Sequence, residues 1–414
     1  MQASTIAVAS KKSAADWLRS PAYDVTLIFG VLALALVLGG AAALHPALFW
    51  SVLTFDIWVL AYPHVTSTYT RVAFDRASAR RYWFLLAGLP PLVLAGTAGI
   101  AALGGAGALF TAYYVGQTYH YTRQSYGIAR GYRRRGGASP SLLADAVVYA
   151  FPLWGLLHRA SQGHEVFYEN ALFLPRIPAI VANGAGAVTA VLFVFYCVQE
   201  LRELMDGSRR WGHVAFVLSH VLVTVTSYVI IPEITPGWLI VNIWHNAQYL
   251  LFVWAFNATR FKDGPDAESP FLSRLCQPRN LWAYALFCVA FGALLHAALG
   301  QLGASLARSA FPIVLVLHLS VNFHHYLVDG VVWKRRATTP ALLSITMLAC
   351  ALCRQPLIYV HGHAACSARG CPMFGQNQAE CCSGETAETC PVVVVAQGAV
   401  PRDEMQASLS RTRT

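Results

Sequence analysis

Polar and ionisable residues inside long apolar segments are the first feature of this chain that could do chemistry. The last long apolar segment carries four of them at positions i, i+4, i+7 and i+11: His318, Asn322, His325 and Asp329. On a helix of 3.6 residues per turn, this spacing places all four on one stripe. His324 lies about 100° away and faces a neighbouring helix. Because ionisable side chains at membrane depth are costly and usually face a cavity or the bundle interior, this stripe is the strongest candidate for a functional site.

Three other apolar segments each carry a histidine with a hydrogen-bonding residue about one helical turn away. The pairs are His64 with Thr68, His120 with Gln117, and His245 with either Gln248 or Tyr249. Amide, hydroxyl and carboxylate groups at this spacing can orient a metal-bound imidazole and fix its tautomer. We predict that the four helices converge on one buried polar cluster.

Several imidazoles within a bilayer indicate metal chemistry. Neutral imidazole suits iron, zinc and copper, whereas carboxylates and water suit magnesium and calcium. We interpret the pattern as a non-haem iron enzyme that uses O2 to oxidise, desaturate or cleave a lipid, terpenoid or carotenoid. The predicted iron ligands are His64, His120, His245, His318, His324 and His325. The residues predicted to orient these ligands are Gln117, Gln248, Asn322 and Asp329.

Two classes of membrane iron enzyme share parts of this pattern. The segment Asn322-Phe323-His324-His325 resembles the His-His boxes of membrane fatty-acid desaturases and hydroxylases. The distribution of single histidines over several spans is similar to that of bacterial carotene-cleaving dioxygenases of the retinal-forming type. That second resemblance implies a four-histidine iron site within the bundle. The chain has no HxxHH box and no HxxxH spacing, so the resemblance is one of class and assigns no residue role.

Two other functions are compatible with buried histidines. A proton-coupled transporter would use His, Asp and Arg side chains as a relay, with helices broken at prolines such as Pro63, Pro152 and Pro312. A haem-binding electron carrier would use paired axial histidines. A buried histidine can also be purely structural, and we expect an interfacial or packing role for His296 and a solvated position for His213.

Composition and hydropathy define the elements that would position these residues. Hydrophobic residues make up 56% of the 414 residues, charged residues make up 12%, and the mean hydropathy is +0.48. Because soluble proteins contain about 25% charged residues, this composition excludes an ordinary cytosolic enzyme and a disordered chain. We predict an all-α, polytopic transmembrane helical bundle of about 10–11 spans, each of about 20 residues. The ten apolar stretches are approximately 24–44, 49–70, 82–104, 107–128, 142–158, 178–199, 211–231, 237–257, 281–300 and 309–333, and a short eleventh covers about 339–353.

The basic residues indicate how the spans are oriented. The net charge is +10, from 30 Lys and Arg against 20 Asp and Glu. Of these basic residues, 22 lie in the N-terminal arm and in every second connection, whereas the alternate connections hold only Arg159, Arg176 and Arg308. The positive-inside rule therefore predicts a cytoplasmic N-terminus in the inner (plasma) membrane. The charge reflects topology and needs no nucleic-acid partner; the expected partners are the bilayer, a hydrophobic substrate and an electron donor.

The spans also predict the organisation of the chain. Residues 1–23 form a cytoplasmic arm, 24–336 the helical bundle, 337–365 a short last apolar segment, and 366–414 a disordered tail with five cysteines. The tail is extracytoplasmic and able to form disulfides if the eleventh stretch spans the membrane. Otherwise it is cytoplasmic, with free or metal-binding thiols. No two of these five cysteines form a C-x-x-C pair, which argues against a zinc site.

Overall fold

The computed structural model describes residues 17–136, 138–163, 165–206, 210–307 and 311–333, and further along the chain residues 350, 352–353, 355, 357–360 and 363–374. The chain divides into two compact units, Met1–Trp333 and Lys334–Thr414. Most of the predicted N-terminal arm, most of the predicted last apolar segment and the tail beyond Phe374 lie outside the described residues.

The first unit is a bundle of α-helices. Its helices are α1 Pro21–Leu44, α2 Pro46–Val72, α3 Arg76–Arg81, α4 Phe84–Arg135, α5 Leu142–Ser161, α6 Ala179–Met205, α7 Trp211–Ile230, α8 Ile234–Arg260, α9 Pro270–Leu275, α10 Pro278–Leu306 and α11 Ile313–Val332. A short antiparallel pair, β1 Val166–Phe167 with β2 Asn170–Ala171, lies between α5 and α6. In the second unit, β3 Leu357–Val360 pairs antiparallel with β4 His363–Cys366.

Within the described residues, six helices are long and apolar enough to cross a membrane: α1, α2, α4, α6, α7 and α10. The fold is therefore an all-α polytopic helical bundle, as the sequence predicts. Each of the ten predicted apolar stretches falls on one of these helices or on α5, α8 or α11, and two of them fall on α4. Helix α8 is enclosed by the others, because every residue from Gly237 to Tyr249 is buried.

Helix α4 contains two predicted stretches because the chain reverses within it. Leu85 contacts His324 of α11, and His120 contacts the next residue, His325. A straight helix would separate Leu85 from His120 by about 52 Å, at 1.5 Å per residue. The reversal occurs at Gly104 and Gly105, which leave the helical conformation. Gly105 has φ +62° and ψ −152°, a region that is essentially restricted to glycine.

Ion pairs join helix ends at one end of the bundle. Arg133, near the end of α4, lies 2.8 Å from Glu200 of α6, and Arg260, at the end of α8, lies 2.8 Å from Asp75 after α2. Burial raises the pKa of Asp75, but hydrogen bonds from two serines and from Arg260 outweigh burial and lower this pKa to about 2. The C-terminal ends of α4 and α6 therefore lie together, and so do those of α2 and α8. This agrees with the alternation of basic connections in the sequence.

The structure describes the first residues of the predicted tail, which begins at residue 366. Cys366 is the last residue of β4, and the described chain continues through Cys371 to Phe374 within the second unit. Of the eleventh apolar stretch, the structure describes only Cys350, Leu352 and Cys353, and the last two form a turn. This end of the stretch belongs to the unit that contains the hairpin and is not helical.

Candidate metal centre

Four histidines from four different helices meet in the interior of the bundle. They are His64 of α2, His120 of α4, His245 of α8 and His325 of α11, and one ring nitrogen of each lies within 4.8 Å of the others. None of the four is more than 6% exposed. The structure therefore brings together four of the six histidines that the sequence predicts as ligands, one from each polar stripe.

The nitrogens face one another more closely than hydrogen bonding explains. Nε2 of His325 lies 2.6 Å from Nε2 of His64 and 3.0 Å from Nε2 of His120. A neutral imidazole nitrogen either donates or accepts one hydrogen bond, so this single atom cannot pair with both neighbours. Two nitrogens bound to one metal ion at about 2.1 Å are about 3.0 Å apart when they subtend a right angle at the ion. The spacing is close to that of ligands sharing one ion.

His245 gives an independent indication of a bound ion. Among the described residues, no group hydrogen-bonds to either of its ring nitrogens, although the residue is buried. A buried polar atom without a partner costs about 1–3 kcal/mol and is rare in folded proteins. The ring centre of His245 is 4.6 Å from that of His64 and 5.0 Å from that of His120. A metal ion held by the four imidazoles would give one of its nitrogens a partner.

A hydrogen-bond network fixes the orientation of His325. Its Nδ1 atom lies 2.8 Å from the hydroxyl of Thr68, which is also 2.7 Å from the hydroxyl of Tyr249. Thr68 and Tyr249 both reach Oδ1 of Asp329, at 3.2 Å and 2.6 Å. The indole of Trp333 donates to the Tyr249 hydroxyl at 3.2 Å. With Nδ1 engaged in this network, Nε2 of His325 is the nitrogen left for a metal ion.

Two buried carboxyl groups lie in the part of the bundle that contains the imidazoles. Oδ2 of Asp329 lies 3.9 Å from Nε2 of both His120 and His325. Asp56, at the start of a π-helical turn of α2, is fully buried. In the described part of the bundle, neither carboxylate forms an ion pair with a Lys or Arg side chain. Buried carboxyl groups are normally paired with a cation or neutralised by a proton, so either a bound cation or a proton would satisfy these two.

A chain of amide groups connects Asp56 to the edge of the site. Its two carboxylate oxygens accept hydrogen bonds from Asn242 at 2.5 Å and from Asn246 at 3.2 Å. Gln117 donates to the side-chain carbonyl of Asn242 and accepts from the indole of Trp238 at 2.5 Å. The sequence predicts Gln117 as a residue that orients a histidine. Its side-chain hydrogen bonds instead go to Asn242 and Trp238 of α8, and none goes to a histidine of the group.

A cavity of about 20 Å³ borders the group. About 10–15 Å³ is needed for one water molecule, so this cavity admits a molecule the size of water or O2. It is lined by His64, His245, Gln117, Asn242, Asn246, Asn322, Tyr113, Tyr326, Ala61 and Val65. Asn322, the fourth residue of the predicted α11 stripe, thus faces the place where a small ligand would lie beside the histidines.

His324 lies outside the group and joins three helices. Its Nε2 donates to the carbonyl of Leu85 at 2.6 Å, and its Nδ1 is 3.1 Å from the hydroxyl of Tyr69. Leu85 lies in the π-helical turn Phe84–Gly88. In such a turn its carbonyl would pair with the residue five positions later, which is Pro90 and has no N–H. His324 supplies the missing donor, so its contacts are structural.

His318 also lies outside the group. It is on the same stripe of α11 as His325, but seven residues earlier, which is about 10 Å along the helix axis. Its Nδ1 is 3.1 Å from Nδ1 of His296, whose ring stacks on Tyr62 with centres 3.6 Å apart. His296 is therefore in the packed position that the sequence predicts.

Several residues of the site were not identified from the sequence, or were identified with alternatives. Tyr249 contacts Asp329, whereas Gln248, the alternative, accepts from Gln124 at 3.3 Å. Thr68 and Tyr249 each follow a histidine by four residues, and this repeated spacing is the signal that marks them. Asp56 lies about two turns before His64 and shares its stripe, whereas the roles of Asn246, Trp238 and Trp333 had no such periodic signal.

His213 differs from the expectation of a solvated position. It is 1% exposed, with Nδ1 3.1 Å from the carbonyl of Ala129 and Nε2 3.6 Å from Glu200. The expectation failed because His213 lies near the start of α7, where Glu200 of α6 covers it.

Comparisons with protein-family models, with curated proteins and with solved structures find no match to this chain.

Proposed function

We propose that this protein is an integral-membrane oxygenase in which His64, His120, His245 and His325 bind one non-haem iron ion. The observation that carries the proposal is the convergence of four buried imidazoles from four helices. Nε2 of His325 lies 2.6 Å from Nε2 of His64 and 3.0 Å from Nε2 of His120. Iron at this site would bind and activate O2 for the oxidation, desaturation or cleavage of an apolar molecule. We place the protein in the inner (plasma) membrane with a cytoplasmic N-terminus, following its charge distribution.

The residues around the histidines support this role. Thr68 and Asp329 hold His325, and the cavity beside His64 and His245 accepts a molecule the size of O2. Apolar helices surround the group and exclude bulk water, which protects a reactive site from side reactions. In the described bundle the site offers one group of four histidine ligands. It is therefore nearer to the four-histidine dioxygenase resemblance than to the desaturase one.

The α11 stripe also suggests how an apolar substrate approaches. A groove of about 470 Å³ is lined by six residues between Ala307 and Leu315 and by His318. Asn322, one turn further along α11, donates to the carbonyl of His318 at 3.1 Å and lines the cavity beside the histidines. The groove, Asn322 and His325 thus follow one another along a single helix face. We propose that a hydrophobic substrate enters from this groove.

The observed spacing does not fit a haem. Two axial histidines on opposite sides of one haem iron lie about 4 Å apart, with the macrocycle between them. Nε2 of His325 lies 2.6 Å from Nε2 of His64 and 3.0 Å from Nε2 of His120, which leaves no room for that plane between either pair.

A proton-coupled transporter is the second candidate. The buried carboxylate of Asp329 connects to His325 through the hydroxyl of Thr68, and the buried carboxylate of Asp56 is hydrogen-bonded to Asn242 and Asn246, which line the cavity beside the histidines. Such a network could relay protons without a metal ion. Metal content therefore separates the two functions.

The first test is the metal content of the full-length protein, purified in detergent and measured by mass spectrometry of the elements. We expect about one iron ion per chain. His325→Ala should lose this iron, because it removes the imidazole that faces both His64 and His120. A wild-type protein that is folded, active in transport and free of iron would instead establish the transporter.

His324→Ala is the matched control for His325→Ala. The two residues are adjacent and buried, but His324 bonds to Leu85 and Tyr69 and lies outside the group. We expect this variant to lose about 1–3 kcal/mol of stability, because the Leu85 carbonyl loses its donor, and to keep its iron. Equal iron loss in both variants would contradict the assignment of His325 as a ligand.

A further inference from the structure

The second unit contains a group of four cysteines around its hairpin. Cys350 and Cys353 precede β3, and Cys366 and Cys371 lie at the end of β4 and just beyond it. One Sγ atom from each lies within 4.8 Å of the others. Cys350 and Cys353 form a C-x-x-C pair that was hidden in the sequence by its place at the end of an apolar stretch. This group is separate from the four histidines of the bundle.

The sulfur–sulfur distances match a shared metal ion. Sγ of Cys350 is 3.7 Å from Sγ of Cys371, and Sγ of Cys353 is 3.6 Å from Sγ of Cys366. A disulfide requires about 2.05 Å. Four thiolates arranged tetrahedrally at about 2.3 Å from a zinc ion have their sulfur atoms about 3.8 Å apart. The observed distances therefore correspond to the edges of a tetrahedral sulfur site.

The backbone around the cysteines folds into turns that support thiolates. The N–H of Met373 donates to Sγ of Cys371 at 3.4 Å, and the backbone of Ala368 hydrogen-bonds to Cys366. In both cases the donor lies two residues after the cysteine. Hydrogen bonds of this kind stabilise negative charge on a metal-bound sulfur and hold it in place. The sulfur atoms of Cys366 and Cys371 thus each accept a hydrogen bond from the backbone two residues later.

The cysteines also form the centre of the unit's packing. Among the described side chains, its hydrophobic cluster consists of buried Cys350, Cys366 and Cys371, with Cys353, Ala368 and Met373 packed against them. Within the described part of the unit, this cluster contains no aromatic or branched aliphatic residue, so these side chains supply little stabilisation by themselves. A metal ion in the middle of the thiols would provide the missing cross-link.

We propose that Cys350, Cys353, Cys366 and Cys371 bind a structural zinc ion through four thiolates. The set contains only sulfur ligands, and it leaves no position for water or substrate, which is typical of structural and not catalytic zinc. The zinc ties the residues before β3 to the turn after β4. The site requires reduced cysteines, which agrees with a cytoplasmic position for the chain after the last helix of the bundle. Its existence does not depend on the function of the histidine group.

The test uses full-length protein expressed in medium with zinc and iron, and measures both metals. We expect about one zinc ion per chain, lost from a Cys353→Ser/Cys366→Ser double variant while the iron of the bundle is unchanged. His325→Ala should show the reverse pattern, with iron lost and zinc kept. Loss of zinc from His325→Ala but not from the cysteine variant would overturn the proposal, as would a wild-type protein that carries iron or a disulfide at the four cysteines.

Two controls address the other cysteines. Cys197→Ser changes an exposed thiol of α6 and should keep the zinc. A triple serine variant at Cys381, Cys382 and Cys390, which lie outside the described residues, should also keep it. Loss of zinc from the triple variant would show that the ligand set is not the one proposed.

A measurement on the wild-type protein covers the case in which the double variant fails to fold. A mercurial thiol reagent should release the zinc, detected with a colorimetric chelator, and should accelerate tryptic cleavage after the exposed Arg369. Zinc release without faster cleavage at Arg369 would show that the ion does not hold the hairpin together and would overturn the structural role.

Discussion

Adjacent histidines in α11 have different roles because of what surrounds each ring. His325 points toward three other imidazoles, while His324 turns about 100° away and donates to a carbonyl that a proline has left without a helical partner. Residue type alone therefore does not identify a ligand. The decisive property is whether a ring nitrogen is left free to face the other imidazoles, as Nε2 of His325 is while Thr68 contacts its Nδ1.

Thr68→Val should weaken metal binding without removing a ligand. The substitution keeps the shape of the side chain but removes the hydroxyl that contacts His325, Tyr249 and Asp329. Loss of such an orienting group typically costs 10–100-fold in metal affinity, and we expect an effect of about that size. Iron retention during titration with a competing chelator measures it.

Thr66→Val is the control for this prediction. Thr66 is buried on the same helix, and its hydroxyl has no hydrogen-bond partner among the described residues. The variant should bind iron as the wild type does. Equal weakening in both variants would mean that a general change in the packing of α2, and not the hydroxyl of Thr68, sets the affinity.

At the scale of elements, the reversal within α4 rests on one glycine. Gly105→Ala should destabilise the bundle by about 1–3 kcal/mol, because alanine is strained at φ +62° and ψ −152°. No atom lies within 4 Å of the position that its Cβ would occupy, so the cost comes from the backbone. Thermal unfolding in detergent measures the change.

Gly99→Ala provides the comparison on the same helix. Its added Cβ also meets no atom within 4 Å, and its backbone is helical. This variant should unfold at the wild-type temperature or slightly above it, since alanine favours helix more than glycine does. If Gly105→Ala were equally stable, the reversal would not depend on the special backbone conformation.

The sequence could predict which side of each helix carries the site, but not the depth at which the helices meet. Periodicity gives the angle of a residue around its helix axis, so the stripe of His318, Asn322, His325 and Asp329 was predicted. It does not give the relative height of neighbouring helices, which depends on packing of small and large side chains across the bundle. His318 and His325 share an angle and differ by about 10 Å in height. Only His325 meets the other histidines.

The helices of the bundle could be predicted from the sequence, but the hairpin of the second unit could not. The ten helical segments, including the two within α4, were predicted from apolar length. The hairpin of the second unit was not predicted, because Cys350 and Cys353 follow an apolar stretch and read as part of a span. The hairpin brings Cys350 and Cys353 next to Cys366 and Cys371, which are distant in sequence. The spacing within one pair does not show that the other pair lies beside it.

At the scale of the whole molecule, the reversal at Gly105 sets the orientation of everything that follows. We expect a reporter fused after Arg135 or after Arg336 to be cytoplasmic, and one inserted near Gly303 to be extracytoplasmic. The alternation of basic connections is the reason. Paired cytoplasmic and extracytoplasmic reporters at each position provide the measurement. A cytoplasmic signal near Gly303 would mean that the number of membrane crossings is wrong by one somewhere upstream of this position.

The wide separation of the four histidines along the chain has a consequence for biosynthesis. His64 and His325 are 261 positions apart, and α11 is the last helix of the bundle. During translation the chain acquires three imidazoles first, and the fourth only when nearly the whole bundle has been made. A ribosome that stalls before α11 therefore releases a protein with an incomplete set of donors. If the four imidazoles bind iron as we propose, the complete set of donors exists only after α11 has been made, so iron loading would distinguish finished molecules from truncated ones.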